Sequence, residues 1–362
     1  MLIQCTKKLL DELKLKPTGV DDEKSLFCWH ANLITINHRK TVVLVNDSNL
    51  YRIVLHGLKA KDFKSLDQLI VEAIRSTLMD ECITASIVEQ FINGSPTVTY
   101  TKTKDRSTVA RLNKACEDVH FFGRHIETSM INQSLVNRLA STSLVGDGQN
   151  GYMHPNECLY KDLEHFSDRT VFRCQAVELK ITLDLQNHNV WRKVIVPYNI
   201  TFKELHDVLQ VVFGWRDYHL HDYYIFDREK PIINLVCSDD AFEYPNDVPM
   251  LEEKNIKLSE YIPKYSRIKY SYDFGDNWEH YIKVERIIEE YTQNYPICIA
   301  GEGSTPPEDV GGESGYDEFL EAISDPEHPE YIAMLNWSKM QLYEAFNMES
   351  VNRKLKSALR RW

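Results

Sequence analysis

The run VGDGQNGYMHPNE opens a segment at residues 145–168 that concentrates glycine, asparagine and proline, and it interrupts a chain that is periodic on either side. Each flank carries its own strand-like and helix-like runs, so the chain must close two hydrophobic cores and not one. Its 362 residues agree, since a single domain ordinarily uses roughly 100–200. The expected division is a first domain over 1–145, a linker over 146–168 and a second domain over 169–362.

In the first part, LIQC reads as a short strand, and Thr6 stands where an N-cap would precede a charged helix over 7–14. FCWHANLITIN, TVVLVND and LYRIVLHGL, broken by HRK and SN, predict a β-meander. Leu66, Leu69, Ile70, Ala73, Ile74 and Leu78 then recur at helical spacing behind a candidate cap, Ser65. Further helices are expected near 85–91, 107–119 and 127–144, with a short strand near 97–101. The second part opens on two strands, AVELKITLDL and VWRKVIVPY. Thr201 with Glu204 then forms a capping-box pattern ahead of a helix whose face is Phe202, Leu205, Val208, Leu209 and Val212. YHLHDYYIF, PIINLV and a hairpin of IKYSYDF and HYIKVERI around Gly275-Asp276-Asn277 follow, with a helical end and no βαβ rhythm. The fold class expected is α+β: two domains, each with a mostly antiparallel or mixed sheet covered by helices.

Charge narrows the partners. The net charge is −12, and between Asp239 and Glu330 there are 23 acidic against 7 basic side chains. A nucleic-acid backbone approaching that region meets repulsion in place of counterion release, so direct nucleic-acid binding by the second domain is disfavoured. The longest stretch without Asp, Glu, Lys or Arg, residues 25–38, is shorter than the roughly 18 apolar residues of a membrane span. Lys7, Lys8, Asp11 and Glu12 break what would be the apolar core of a signal peptide, so a cytoplasmic protein without a membrane partner is expected. The eight cysteines are scattered with no CxxC pair, which predicts reduced structural thiols.

Three segments carry a family resemblance: GWRDYHLHDYYIF (214–226), YDFGDNWEHYI (272–282) and CIAGEGSTPPEDVGGESGYDEFL (298–320). In that order and spacing they resemble the plasmid pRiA4b open-reading-frame-three family, also met as a passenger protein of a mobile insertion element. The likeness covers about residues 170–350. It implies a plasmid or mobile-element context and no particular chemistry. Members often have Cys where this chain has Thr305. WHANLITINHRKTVVLVNDSN in the first domain looks like a separate uncharacterised domain of bacteria and archaea.

The same motifs carry the candidate chemistry. His219 and His221 are two apart, so on a strand both imidazoles would share a face and offer two nitrogens to one metal. Asp273, Asp276 and His280 surround the expected hairpin turn, and Glu308 with Asp309 lies in a Gly/Pro-rich loop that could fold over it. His219, His221, Asp273, Asp276 and His280 are therefore candidate ligands for a divalent metal such as Zn, Mn or Fe, with Glu308 or Asp309 as candidate general base of a hydrolase or nuclease. The alternative, favoured here, is recognition: an acidic groove binding a protein segment or small ligand, with Trp215, Tyr272, Trp278 and Tyr316 as aromatic walls beside the same polar residues. Turn chemistry at Asp273 and Asp276, and core packing of the tryptophans, are the bland readings of the same residues. Gly301 and Gly303 imitate a phosphate loop but lack a GK[ST] ending, and Glu302 and Glu308 would repel phosphate. The basic end VNRKLKSALRRW suits the last turns of a solvated terminal helix.

Overall fold

The computed structural model describes residues 1–17, 23–146, 151–243 and 246–360. The GDGQNG core of the interrupting segment lies largely outside these residues, as do Arg361 and Trp362 of the basic end. The chain divides into two units between Arg173 and Cys174.

The first unit holds strands β1 (Leu2–Cys5), β2 (Cys28–Ile36), β3 (Arg39–Asn46), β4 (Arg52–Leu58) and β5 (Thr99–Lys102) in the order β4-β3-β2-β1-β5. The meander β2-β3-β4 is antiparallel, while β1 runs parallel to both β2 and β5, so the sheet is mixed. Helices α1 (Lys7–Leu13), α2 (Leu66–Asp80), α3 (Ala85–Gly94), α4 (Arg106–Phe121), α5 (Ser134–Thr142) and α6 (Pro155–Ser167) complete it, with a two-residue ladder between β6 (Val145–Gly146) and β7 (Tyr152–Met153). Strand β3 is buried from Thr41 onward and carries the unbroken apolar run Val42, Val43, Leu44, Val45 because both faces of the sheet are covered. Val42 and Leu44 enter a core with Leu66, Ile70, Ile87 and Phe91, while Val43 packs with Val119, Val136 and Leu139 on the other side.

Three expectations are corrected in this unit. The helix expected over 127–144 begins only at Ser134, because the Gln133 side chain donates to the carbonyls of Glu127 and Met130 and holds the preceding residues in a turn. Thr6 makes no side-chain cap; its hydroxyl donates to Asn32 Oδ1 across the sheet at 2.9 Å. Much of the segment expected as linker is helix α6, with Pro155 in its first turn and Leu159 and Leu163 buried in the first core.

The second unit is built on an eight-stranded sheet ordered β12-β11-β10-β13-β14-β8-β9-β15. Its strands are β8 (Cys174–Leu183), β9 (Val190–Pro197), β10 (His221–Asp227), β11 (Lys230–Val236), β12 (Met250–Glu252), β13 (Arg267–Tyr272), β14 (Trp278–Tyr291) and β15 (Ile297–Glu302). All neighbours are antiparallel except β11 and β12. Helix α7 (Phe202–Phe213) crosses it, and α8 (Gly312–Ser324), α9 (Tyr331–Met340) and α10 (Met348–Leu355) follow. The capping box forms as the sequence implies: the Thr201 hydroxyl accepts from Glu204 N, and the Glu204 carboxylate accepts from Thr201 N. Phe202, Leu205, Val208, Leu209 and Val212 pack on Val177, Leu179 and Ile181, the period-two face of β8. Both units are α+β, and among the described residues no helix is long and apolar enough to cross a membrane. None of the eight cysteines is in a disulfide.

Candidate functional site

Helix α7 ends at Gly214 in the left-handed region (φ 77°), the chain turns again at Asp217 (φ 60°), and β10 begins only at His221. Leu220 accepts from Asp273 N at 3.0 Å, which ties this turn to the β13–β14 hairpin. Asp273 itself is left-handed (φ 55°). Its Oδ1 accepts from Gly275 N at 3.0 Å and Asp276 N at 3.4 Å, the Asx arrangement that lets an aspartate hold such a conformation. The loop after β15 closes over the hairpin: Asp276 Oδ2 accepts from Gly311 N at 3.1 Å, and Gly311 and Gly312 have φ of 92° and 71°. Buried Glu308 accepts from the Tyr272 hydroxyl and from Arg216 N, and Tyr272 in turn accepts from Tyr218 N. Residues far apart in sequence are thereby drawn to one place.

What they surround is a small polar cluster. His219 Nε2 lies 3.2 Å from Asp309 Oδ1 and 3.5 Å from Asp273 Oδ2, and one ligand atom from each residue falls within 4.8 Å of the others. The His219 side chain is 27% exposed and that of Asp309 58%, so the cluster opens to solvent. Among the described residues neither aspartate has a Lys or Arg ion pair within 4.0 Å, and His219 Nε2 makes no hydrogen bond. Tyr218, Leu220 and Phe274, the chain neighbours of His219 and Asp273, expose large apolar side chains. Two carboxylates without a permanent cation, beside exposed apolar groups, can receive either a cationic group or a metal ion.

The sequence matches the family described as Plasmid pRiA4b ORF-3-like protein over residues 175–355. The chain belongs to that family. A separate match, to a domain of unknown function designated DUF6933, covers residues 2–158. The uncharacterized protein y4hQ of Sinorhizobium fredii (strain NBRC 101917 / NGR234) is 34% identical over 191 residues, covering 52% of this chain and 94% of that protein. A crystal structure of MM3350, a protein of unknown function from Methanosarcina mazei Go1, is similar at 35% identity and a TM-score of 0.40, over 46% of this chain and 90% of that one.

Within the pRiA4b-like unit the other candidate residues go elsewhere. His221 does not share a strand face with His219, which sits in the bend before β10; its Nε2 is 2.8 Å from Glu253 Oε1, in the interior. His280 is fully buried against Phe213, Trp215 and Tyr270, with neither ring nitrogen hydrogen-bonded, and burial pushes its pKa down to about 3. Asp276 spends an oxygen on Gly311 N. The five expected metal ligands therefore do not form one site. Glu308, buried and doubly hydrogen-bonded, is not placed as a solvent-facing base. Trp215 donates to Pro306 O and stacks on Tyr272, forming support beneath the cluster, and Trp278 is core. Tyr316 is no groove wall: it packs on Phe319 and His188, and its hydroxyl lies 3.2 Å from both Ser304 O and the Tyr343 hydroxyl.

The strongest support of the pRiA4b-like loop escaped the sequence reading. Arg192, on β9, is buried and donates to the carbonyls of Trp191, Val212, Glu302 and Gly303 and to the Thr305 hydroxyl. Burial pushes its pKa down to about 10. Thr305 thus serves as an acceptor for a buried cation. Gly301 and Gly303 have structural reasons too: a Cβ on Gly303 (φ 76°) would come within 2.4 Å of Asn189 O, and one on Gly301 within 2.7 Å of Phe346. The signal available for Arg192 was its place in VWRKVIVPY, a strand otherwise bound for the core.

Proposed function

We propose that the pRiA4b-like unit is a recognition module for a protein segment presenting a lysine or arginine beside an apolar side chain. The observation that carries this reading is the pair Asp273 and Asp309, without any Lys or Arg partner among the described residues and bordered by exposed Tyr218, Leu220 and Phe274. A cation docking between the two carboxylates gains charge-assisted hydrogen bonds, and the rim supplies the apolar contact that a rim charge alone lacks. The acidic balance of this half steers basic partners and repels nucleic acid. A cytoplasmic setting and a mobile-element context belong to this proposal.

The test is selection of displayed random peptides on the whole protein. Enriched sequences should pair Lys or Arg with an aromatic or aliphatic residue. Asp309→Lys should weaken a selected peptide at least tenfold, about 1.4 kcal/mol, with a melting temperature lowered only by the modest cost of lysine at a left-handed position (φ 60°), because the Asp309 side chain is exposed. Peptides without basic residues, or equal binding to Asp309→Lys, would refute it.

A second reading rests on the 4.8 Å spread of His219, Asp273 and Asp309: one imidazole and two carboxylates suit a divalent ion that polarises a bound water for hydrolysis. Stoichiometric metal lost on His219→Ala or Asp309→Asn would establish that ion. Its absence from both the native protein and metal-supplemented samples would remove the reading.

A further inference from the structure

Helix α9 is apolar around its circumference yet almost unburied. Seven of the ten residues in YIAMLNWSKM are apolar and Lys339 is its one charge, a composition that belongs to a helix covered on every side. Only Ser338 is buried. One side packs on α8, where the Trp337 and Phe319 rings meet edge to face with centroids 5.6 Å apart. By the helical period, Ile332, Ala333, Asn336, Lys339 and Met340 share the opposite side, and all five are exposed. Ile332 is 66% exposed and Met340 74%. Leu342, just past the helix end, is 73% exposed and held in the left-handed region (φ 57°), which disfavours leucine. We propose that this face of α9, with Leu342, docks an amphipathic helix of another protein whose apolar stripe is bordered by lysine or arginine.

Two observations select that occupant. The first is the apolar stripe itself. Ile332 and Met340 stand two turns apart on one face, the spacing at which helices anchor to one another, and the unbranched side chain of Met340 adapts to an incoming surface. The stripe is held ready, since Arg216 Nη2 donates to Met340 O at 2.8 Å and fixes the end of the helix. The second is charge. Residues 301–350 carry 12 acidic side chains, and Lys339 is their one base. Asp325, Glu327 and Glu330 precede α9, Glu344 and Glu349 follow it, and all five are exposed. An anionic lipid surface is repelled there, and a second copy would bring the same carboxylates against this set. A basic helix is attracted by every one of these neighbours while its apolar face covers the stripe. No residue of this face belongs to the pair Asp273 and Asp309, so the docking surface stands or falls independently of that pair.

The test uses the full chain and a synthetic helical peptide with leucine on one face and lysine on the other, followed by the fluorescence anisotropy of a dye on the peptide. Ile332→Gln combined with Met340→Gln removes the apolar contact and leaves every charge in place. Glutamine is a good helix former and both positions are exposed, so the melting temperature should match that of the parent. The parent should bind the lysine peptide and not a version with glutamate in place of lysine. The double variant should bind the lysine peptide at least tenfold more weakly, and raising sodium chloride from about 50 to about 500 mM should weaken the parent complex as well. Equal affinity of parent and double variant would leave only unspecific charge attraction and overturn the proposal. Binding of the glutamate peptide, or no binding of the lysine peptide at about 100 μM, would do the same. A weakening in Asp309→Lys that is absent from the double variant would assign the peptide to the aspartate pair and remove this surface. Sedimentation of the chain alone and flotation with phosphatidylcholine vesicles test the other occupants. A dimer or a vesicle complex that the double variant loses would give the face to a second copy or to lipid, against the proposal.

Discussion

Replacing Arg192 by lysine keeps the charge and discards the shape. The guanidinium donates to Val212 O at 3.0 Å, Trp191 O at 2.8 Å, Glu302 O at 2.7 Å, Gly303 O at 2.9 Å and Thr305 Oγ1 at 3.1 Å. Its Cζ also lies 4.0 Å from the centre of the Phe346 ring. A lysine ammonium has three donors on a single atom, so at least two of the five acceptors lose their partner. A buried acceptor left unpaired costs about 1–3 kcal/mol, and the lost contact with Phe346 adds about 1 kcal/mol. The expected destabilisation of the second unit is about 3–7 kcal/mol. With an m-value of about 2 kcal/mol/M, its urea midpoint should fall by about 1.5–3.5 M, read by tryptophan fluorescence, while the transition of the first unit stays in place. Because Arg192 anchors Glu302, Gly303 and Thr305 ahead of Glu308 and Asp309, peptide binding should weaken even under conditions where the variant is folded. A midpoint shift below about 0.5 M would show that the acceptors find other partners and that the loop does not depend on this cation.

Two further outcomes follow from the geometry. Thr201→Ala removes the hydroxyl half of the capping box and should cost about 1 kcal/mol, measured as a lower melting temperature of the second unit; an unchanged value would mean the Glu204 half suffices. In acid, the sign follows from His206 and His280, both pushed down to about 3 from an ordinary 6.5. Between those values the unfolded chain binds protons that the folded chain refuses, so stability is fully present above about pH 6.5 and is lost as pH falls toward 3. Asp207, raised to about 6 from 3.8, acts with the opposite sign between those two values, as does Asp222, which burial also raises. His280→Phe should therefore shrink the difference in urea midpoint between pH 8 and pH 5, and an unaltered difference would remove His280 from the account.

What was legible in the sequence is local. The capping box at Thr201 and Glu204, the apolar stripe of α7 and the turn between β13 and β14 each depend on residues within a few positions of one another, and each formed as read. Helix α6 was missed although its signals were present: Pro155 in the first turn, and Leu159 and Leu163 one turn apart. The glycine-rich residues just before it dominated the reading. His206 and Gln210 also carried a signal, since each stands one or two turns beyond Phe202 within the apolar stripe. A polar side chain at a core-facing position must find partners, and both meet the Tyr270 hydroxyl.

The two histidines of HLH show why the rest was hidden. A spacing of two implies a shared face only if both residues already belong to the strand, and where a strand begins is decided by distant groups. Here the Tyr272 hydroxyl accepts from Tyr218 N, and Leu220 O accepts from Asp273 N, which holds the chain in a bend until His221. His219 is left at the surface between two aspartates, and His221 enters the interior beside His206 and Glu253. Conversely, residues 35 and 92 positions apart meet because backbone amides are available to bind them: Asp276 takes Gly311 N, and Glu308 takes Arg216 N. Closeness along the chain separated the imidazoles, and the need of buried or turning amides for acceptors brought the distant carboxylates together.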